Sequence, residues 1–171
     1  NVFDIEIDEK DPDKFIEIVK GIAPTFGGIN LEDIKAPEAF YIEKRLKEEL
    51  KIPLMHDDQH GTAIISAAAL INALEVSEKK IDKVKVVVNG AGAAAIACTN
   101  LYIALGLERK NILMCDSKGV INKHRTNLTP EKLDFIAQTD ISTLEQALEG
   151  ADVFFFFFKG DVMTAKMLSS M

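Results

Sequence analysis

The first third of the chain shows a pattern of apolar and polar positions that predicts a β-α arrangement. Residues 2–7 alternate as in a strand, and Asp11 then begins a helix in which apolar residues recur at helical spacing. Further elements follow: a short strand at 24–30, an amphipathic helix at 37–50 and another short strand at 52–55. We therefore expect a small α/β lobe at residues 1–56.

The rest of the chain predicts a parallel sheet. An Ala-rich helix at 63–74 has few charges, so we expect it to be buried. The following elements are a strand at 86–89, a glycine turn, an apolar helix, a strand at 111–115, a helix at 143–148 and a strand at 151–158. This order is typical of the right-handed βαβ units of a doubly wound, Rossmann-like sheet. The fold class is α/β, with a partial cofactor-binding domain at residues 57–171.

Composition restricts the class of protein. The 171 residues carry a formal charge of -7, with 20 basic and 27 acidic side chains and no basic block. This balance argues against nucleic-acid and anionic-membrane partners. Two cysteines without CxxC spacing and apolar runs too short for a bilayer predict a cytoplasmic protein. The first residue is Asn, so we expect a segment of something larger.

A GxGxxA motif lies directly after an apolar strand and opens a helix. Gly90 permits a tight turn, Gly92 lets a pyrophosphate approach backbone N–H groups, and Ala95 permits close packing of helix on sheet. This context favours binding of NAD or NADP. The predicted contact residues are Gly90, Ala91, Gly92, Ala93 and Ala94.

Asp116 ends the second strand of this unit, where an acid can bind the ribose hydroxyls of the cofactor. It comes somewhat later than the usual spacing, and a turn residue is the alternative interpretation. A carboxylate there repels a 2′-phosphate, whereas Lys118 could neutralise one. The choice between NAD and NADP stays open.

Two acidic pairs, Glu32-Asp33 and Asp57-Asp58, each follow a predicted strand. Carboxylates from two turns can converge on Mg²⁺ or Mn²⁺, which prefer oxygen ligands. Helix N-capping by Asp33 and Asp58 is an equal alternative. A zinc site at His56 and His60 is disfavoured, because the pair flanks a strand-helix junction and no HExxH pattern is present.

Three motifs together resemble those of bacterial malic enzymes. They lie at residues 26–34, 52–63 and 86–94. The resemblance implies oxidative decarboxylation of malate to pyruvate and CO₂ with reduction of NAD(P), in a homo-oligomer. It also implies metal ligands at Glu32, Asp33 and Asp58, a supporting role for Asp57 beside the catalytic base, and a place for Asp58 beside the cofactor.

The chain departs from the family's pattern in several places. The family's general-base lysine, general-acid tyrosine and substrate-binding asparagines have no counterpart in this segment, so we expect the segment alone to be inactive. Phe156 and Phe158 stand where the family usually carries glycine and serine, and Ala165 replaces a proline. Such bulk could block the cofactor, although a buried parallel strand also tolerates a continuous apolar run.

A noncatalytic dinucleotide-binding or regulatory module with the same fold is the alternative function. A metal-dependent hydrolase is disfavoured by the GxGxxA context. An apolar strand edge near residues 154–158 also predicts that the isolated segment associates in solution.

Overall fold

The computed structural model of the chain describes residues 1–157 and 162–171. Two compact units are present, Asn1–Asp58 and Gln59–Met171, whereas the sequence placed the boundary after residue 56. In the described ranges, no helix combines the length and the apolar character needed to cross a membrane.

The first unit contains two helices and a two-stranded parallel sheet. Its elements are α1 (Pro12–Ile22), a short 3-10 helix (Ala23–Thr25), β1 (Ile29–Leu31), α2 (Glu38–Glu49) and β2 (Leu54–His56). Asp11 caps α1 by accepting from the backbone N–H groups of Asp13 and Lys14. The parallel pairing of β1 with β2 places Leu31 beside His56, so the two strands end at the same edge.

The expected strand at residues 2–7 is wrong. The structure gives this segment no strand assignment, and Val2 and Phe3 are exposed. Alternation alone does not make a strand, because a strand needs a hydrogen-bonding neighbour. None of the described pairings involves this segment.

The second unit is a four-stranded sheet with helices. Its strands are β3 (Val86–Asn89), β4 (Ile112–Asp116), β5 (Gly119–Val120) and β6 (Val153–Phe156), in the order β5-β4-β3-β6. Its helices are α4 (Ala93–Ala104), α5 (Pro130–Leu133), α6 (Leu144–Leu148) and α7 (Ala165–Ser169). The long helix α3 (Asp57–Val76) precedes β3 in the chain. Because β3 lies parallel to both β4 and β6, the predicted α/β class with a parallel sheet is confirmed.

Helices α4 and α6 lie on opposite faces of the sheet. Side chains alternate between the faces of a strand. Leu148 of α6 packs in one cluster with Val87 of β3. On the other face, the ring of Tyr102 from α4 stacks on Phe155, with 4.8 Å between ring centroids. Helix α4, which follows β3, therefore lies on one face of the sheet, and helix α6, which precedes β6, lies on the other. In such folds a ligand-binding crevice forms at the carboxyl ends of the two adjacent strands where this change of face occurs.

Two features differ from the sequence prediction. Helix α3 is longer than expected and is not fully buried, since Ile64 is 62% and Ile65 is 70% exposed. Only one stripe of α3 is buried. The sequence did not predict which side of the helix packs, because an apolar helix without a polar face does not distinguish a buried side from an exposed one. The antiparallel strand β5 was not predicted, and it depends on Gly119, where a Cβ would lie 2.2 Å from the carbonyl oxygen of Ser142.

Candidate functional site

The glycine turn forms the junction between β3 and α4. Gly90 has φ +133°, a conformation that L side chains rarely adopt, and its N–H donates to the carbonyl oxygen of Cys115 at 2.9 Å. A Cβ on Gly90 would also lie 3.0 Å from the Cβ of Phe157. The backbone conformation of this position therefore favours glycine, and a larger residue would also be crowded by Phe157.

Gly92 leaves open space at the beginning of α4. It is the N-cap of this 12-residue helix, and no side chain caps the helix through a hydrogen bond. Apart from Gly92 itself and its immediate neighbours in the chain, no heavy atom of the described residues lies within 4 Å of a Cβ built there, whereas Ala95 is fully buried against the sheet. The first N–H groups of the helix are thus available to an anion, and residues 90–94 suit a pyrophosphate.

Asp116 lies at the same edge of the sheet, at the end of β4. Its strand neighbour Cys115 is paired with Asn89, the residue before the glycine turn. Both carboxylate oxygens are engaged by Arg125, at 3.0 and 2.8 Å. Lys132 adds a contact of 3.2 Å, and the backbone N–H of Lys118 donates at 2.9 Å.

The electrostatic balance at Asp116 favours the carboxylate. Burial of the group opposes ionisation, but hydrogen bonds from Arg125, the Lys118 N–H and Lys132 outweigh it and hold the pKa of Asp116 well below its usual range. With charges of -1, +1 and +1 on Asp116, Arg125 and Lys132, this cluster carries a net positive charge. The sequence analysis named only Lys118 as a cation that could neutralise a 2′-phosphate. It did not identify Arg125 or Lys132.

The acidic turns of the first unit meet at one hydrogen bond. Asp33, at φ +57°, follows β1, and its backbone N–H donates to Oδ2 of Asp58 at 3.0 Å. Asp58 lies inside the first turn of α3, and Asp57 is the half-buried first residue of that helix. The structure thus brings Asp33 and Asp58 together, while Glu32 is exposed beside them.

These carboxylates have suitable chemistry for a hard cation but are not preassembled. Within the described ranges, no three His, Cys, Asp or Glu side chains are arranged to hold a metal ion. Oxygen donors from Glu32, Asp33 and Asp58 still match the preference of Mg²⁺ and Mn²⁺. Binding there would require the side chains to reorient.

His56 has a structural role at this turn. It is fully buried at the end of β2, and its Nε2 lies 3.2 Å from the carbonyl oxygen of Ile34. Its backbone N–H donates to Glu43 at 3.1 Å, and its Nδ1 lies 3.8 Å from Oδ2 of Asp58. The imidazole therefore connects the segment after β1 to β2, beside Asp58.

The carboxyl end of β6 carries the unusual phenylalanines. Phe156 is 64% exposed, and Phe154 and Phe155 are half-buried. Phe158, singled out with Phe156 in the sequence, lies outside the described residues. Ala165 begins α7, which Thr164 caps by accepting from the backbone N–H of Met167 at 3.2 Å.

Comparison with known proteins agrees with this architecture. Residues 59–153 match the model of the malic enzyme NAD-binding domain, and residues 4–47 match that of the malic enzyme N-terminal domain. The NADP-dependent malic enzyme of Escherichia coli K12 is 57% identical over all of this chain, which spans 23% of that protein. The NAD-dependent malic enzyme of Rhizobium meliloti is 48% identical over all of this chain, which spans 22% of it.

Solved structures give the same result. The crystal structure of the NAD-dependent malic enzyme from Thermotoga maritima superposes with a TM-score of 0.91 at 44% identity, covering 99% of this chain and 46% of that chain. The malic enzyme from Pyrococcus horikoshii superposes with a TM-score of 0.85 at 41% identity, covering 92% of this chain and 39% of that chain. The chain spans about a quarter of the curated relatives named above. With both family models matched in chain order, the chain belongs to the malic enzyme family.

Proposed function

We propose that this chain is the central part of an enzyme that converts malate to pyruvate and CO₂ while reducing NAD(P)⁺. The reaction transfers a hydride from C2 of malate to nicotinamide and removes the hydroxyl proton, which gives oxaloacetate. The bond between C3 and C4 then breaks to release CO₂, and a proton adds to C3 of the resulting enolate to give pyruvate. The supporting observation is the glycine turn beside Asp116, which combines an open helix N-terminus with a strand-end acid.

Within this proposal, Glu32, Asp33 and Asp58 hold Mg²⁺ or Mn²⁺, and Asp57 supports the catalytic base. Support comes from the hydrogen bond between the turns of Asp33 and Asp58. When bound, the cation stabilises negative charge on the oxygens of the substrate. His56 keeps the segment after β1 close to β2 through the carbonyl of Ile34.

We further propose NADP as the preferred cofactor. An unpaired carboxylate at the end of β4 would repel a 2′-phosphate, but here Arg125 and Lys132 outweigh the charge of Asp116. Sequence relatives include both NADP- and NAD-dependent malic enzymes, so the proposal rests on the charge of this cluster.

We also propose a homo-oligomer in a reducing cytoplasm. Helix α3 exposes Ile64, Ile65 and Ile71, and burial of such a surface stabilises association. Cys98 and Cys115 are both free and buried, which is compatible with a reducing compartment.

The activity can be tested on the complete natural protein that contains this chain. With malate, Mn²⁺ and NADP⁺, we expect NADPH and pyruvate to form in equal amounts, and chelation of the metal should stop both. Formation of neither product would contradict the proposal. Nucleotide binding without turnover would favour the noncatalytic module, for which the exposed ring of Phe156 is the supporting observation.

A further inference from the structure

One ring nitrogen of His56 has a role that the structure identifies. Nε2 lies 3.2 Å from the carbonyl oxygen of Ile34, and a carbonyl oxygen can only accept a hydrogen bond. Nε2 therefore carries a proton and donates it to Ile34. This contact fixes the orientation of the ring and the state of its second nitrogen.

The second nitrogen, Nδ1, is buried without a hydrogen bond. The side chain of His56 is 1% exposed, and Nδ1 has no hydrogen-bond partner among the described residues. Oδ2 of Asp58 lies 3.8 Å away, which is too far to accept a proton from Nδ1. These distances agree with a neutral ring that carries a lone pair on Nδ1. A buried acceptor without a partner is unfavourable.

A cation beside Asp58 would satisfy both groups. The lone pair of Nδ1 and the carboxylate of Asp58 attract the same positive charge, and a neutral imidazole nitrogen is a common metal ligand. Histidines that bind metal ions almost always donate their other ring N–H to a carbonyl or a carboxylate, as His56 does to Ile34. The unpartnered nitrogen therefore points to a cation at this turn independently of the acidic residues.

The other proposed ligands lie at the same edge of the first unit. His56 is paired in register with Leu31. Glu32 and Asp33 come next in the chain after Leu31. The backbone N–H of Asp33 donates to Oδ2 of Asp58, which holds the turn close to the imidazole. The Asp58 side chain is 47% exposed, so a cation can reach it from solvent.

We propose that Nδ1 of His56 is a nitrogen ligand of the cation held by Asp58, so that the site combines carboxylate oxygens with one imidazole. Mg²⁺ is bound through carboxylates and water, whereas an imidazole raises the affinity of a site for first-row transition ions. The nitrogen therefore favours Mn²⁺ over Mg²⁺. This inference rests on the proposed cation site, and it adds a ligand and a basis for discrimination between the two ions.

The test is pulsed electron paramagnetic resonance of Mn²⁺ bound to the whole chain, prepared with ordinary histidine and with histidine labelled with the heavy nitrogen isotope. A directly bound imidazole modulates the electron spin echo at frequencies that depend on the nitrogen isotope. We expect this isotope-dependent modulation in the parent chain. The measurement requires neither malate nor nucleotide, so it does not depend on catalytic activity.

One substitution separates the proposed ligand from the contact with Ile34. His56→Gln keeps an amide N–H that can donate to the Ile34 carbonyl, but it has no acceptor in place of Nδ1. It should abolish the modulation, weaken Mn²⁺ binding by about tenfold and leave Mg²⁺ binding, measured by competition, within about threefold. His124→Gln is the matched control, since the His124 side chain is 64% exposed in the other unit and its loss should change neither result.

The outcomes distinguish the inference from the proposed site. Bound Mn²⁺ without modulation from histidine nitrogen would show that the inference is wrong and that the cation site stands. Modulation that survives in folded His56→Gln, or that is lost in His60→Gln, would also overturn the inference. If His56→Gln does not fold, modulation in both His60→Gln and His124→Gln assigns the nitrogen to His56, because the chain has 3 histidines. Failure of the parent chain to bind Mn²⁺ would overturn both the inference and the cation site.

Discussion

The carboxylate of Asp116 is held in a two-point ion pair by Arg125, with oxygen-nitrogen distances of 3.0 and 2.8 Å. Arg125 also donates to the carbonyl oxygens of Gly119 and Val120 at 3.4 Å. Through these hydrogen bonds the guanidinium connects the segment after β5 to the end of β4. The same contact sets the charge of the proposed cofactor crevice, so one residue pair affects both stability and binding.

Arg125→Ala should destabilise the second unit by about 2 kcal/mol, because it removes charged hydrogen bonds from a largely buried carboxylate. Since the folded-state pKa of Asp116 is depressed, its stabilising contribution is present above the unfolded pKa of about 3.9 and is lost as pH falls toward the folded value. Urea unfolding followed by circular dichroism should therefore show a difference between parent and variant at neutral pH that shrinks below about pH 4. A difference that is constant across this range would contradict the assigned role.

Lys132→Gln should weaken NADP⁺ binding by about fivefold to tenfold and leave NAD⁺ binding within about twofold, because it removes one charge facing the 2′-phosphate. Lys110→Gln is the matched control, since Lys110 precedes β4 and therefore lies at the opposite end of that strand. Titration calorimetry measures both cofactors. Equal losses for NADP⁺ and NAD⁺ would show that Lys132 does not contact the 2′-phosphate.

The two glycines of the turn should respond differently to alanine. Gly90→Ala should destabilise the unit by about 1–3 kcal/mol, because φ of +133° strains any side chain and the new Cβ would crowd the Cβ of Phe157. Gly92→Ala should leave stability within about 0.5 kcal/mol, since its Cβ meets open space, yet it should weaken nucleotide binding by covering the helix N–H groups. Thermal unfolding and titration calorimetry separate the two effects. Unchanged binding in Gly92→Ala would place the pyrophosphate elsewhere.

Asp58→Asn should weaken Mn²⁺ binding by about tenfold, because it removes a negative charge from the proposed ligand set. The substituted amide oxygen can still accept the hydrogen bond from the backbone N–H of Asp33, so the turn should keep its fold. Asp82→Asn is the control, since Asp82 pairs with Lys83 at 3.2 Å in the other unit. Electron paramagnetic resonance of free Mn²⁺ measures the binding. Equal affinity in Asp58→Asn and the parent chain would remove Asp58 from the ligand set.

Local sequence patterns predicted the parts of the structure that depend on neighbouring residues. The GxGxxA turn was predicted because its glycines, strand and helix are contiguous, and the structure places Gly90 and Gly92 as expected. The partners of Asp116 were not predicted, because Arg125 and Lys132 follow it by 9 and 16 residues and reach it only through the path of the chain after β5. Such contacts depend on tertiary structure, which no local pattern encodes.

The first unit shows the same limit. The meeting of Asp33 with Asp58 follows from parallel pairing of β1 with β2, and the sequence predicted convergence of their turns. Whether Glu32, Asp33 and Asp58 hold a metal ion stays a prediction, because side chains at a binding surface commonly change rotamer when the ligand binds.

Backbone amide chemical shifts give the most direct test of the central claim, that the edge formed by β3, α4 and β4 binds a nucleotide. On addition of 2′-phospho-ADP-ribose to the isotope-labelled chain, we expect the largest shifts at residues 90–94 and at Lys118, whose N–H contacts Asp116. Residues of the first unit, such as those of α1, should change little. Shifts confined to the first unit, or none at saturating ligand, would contradict the account.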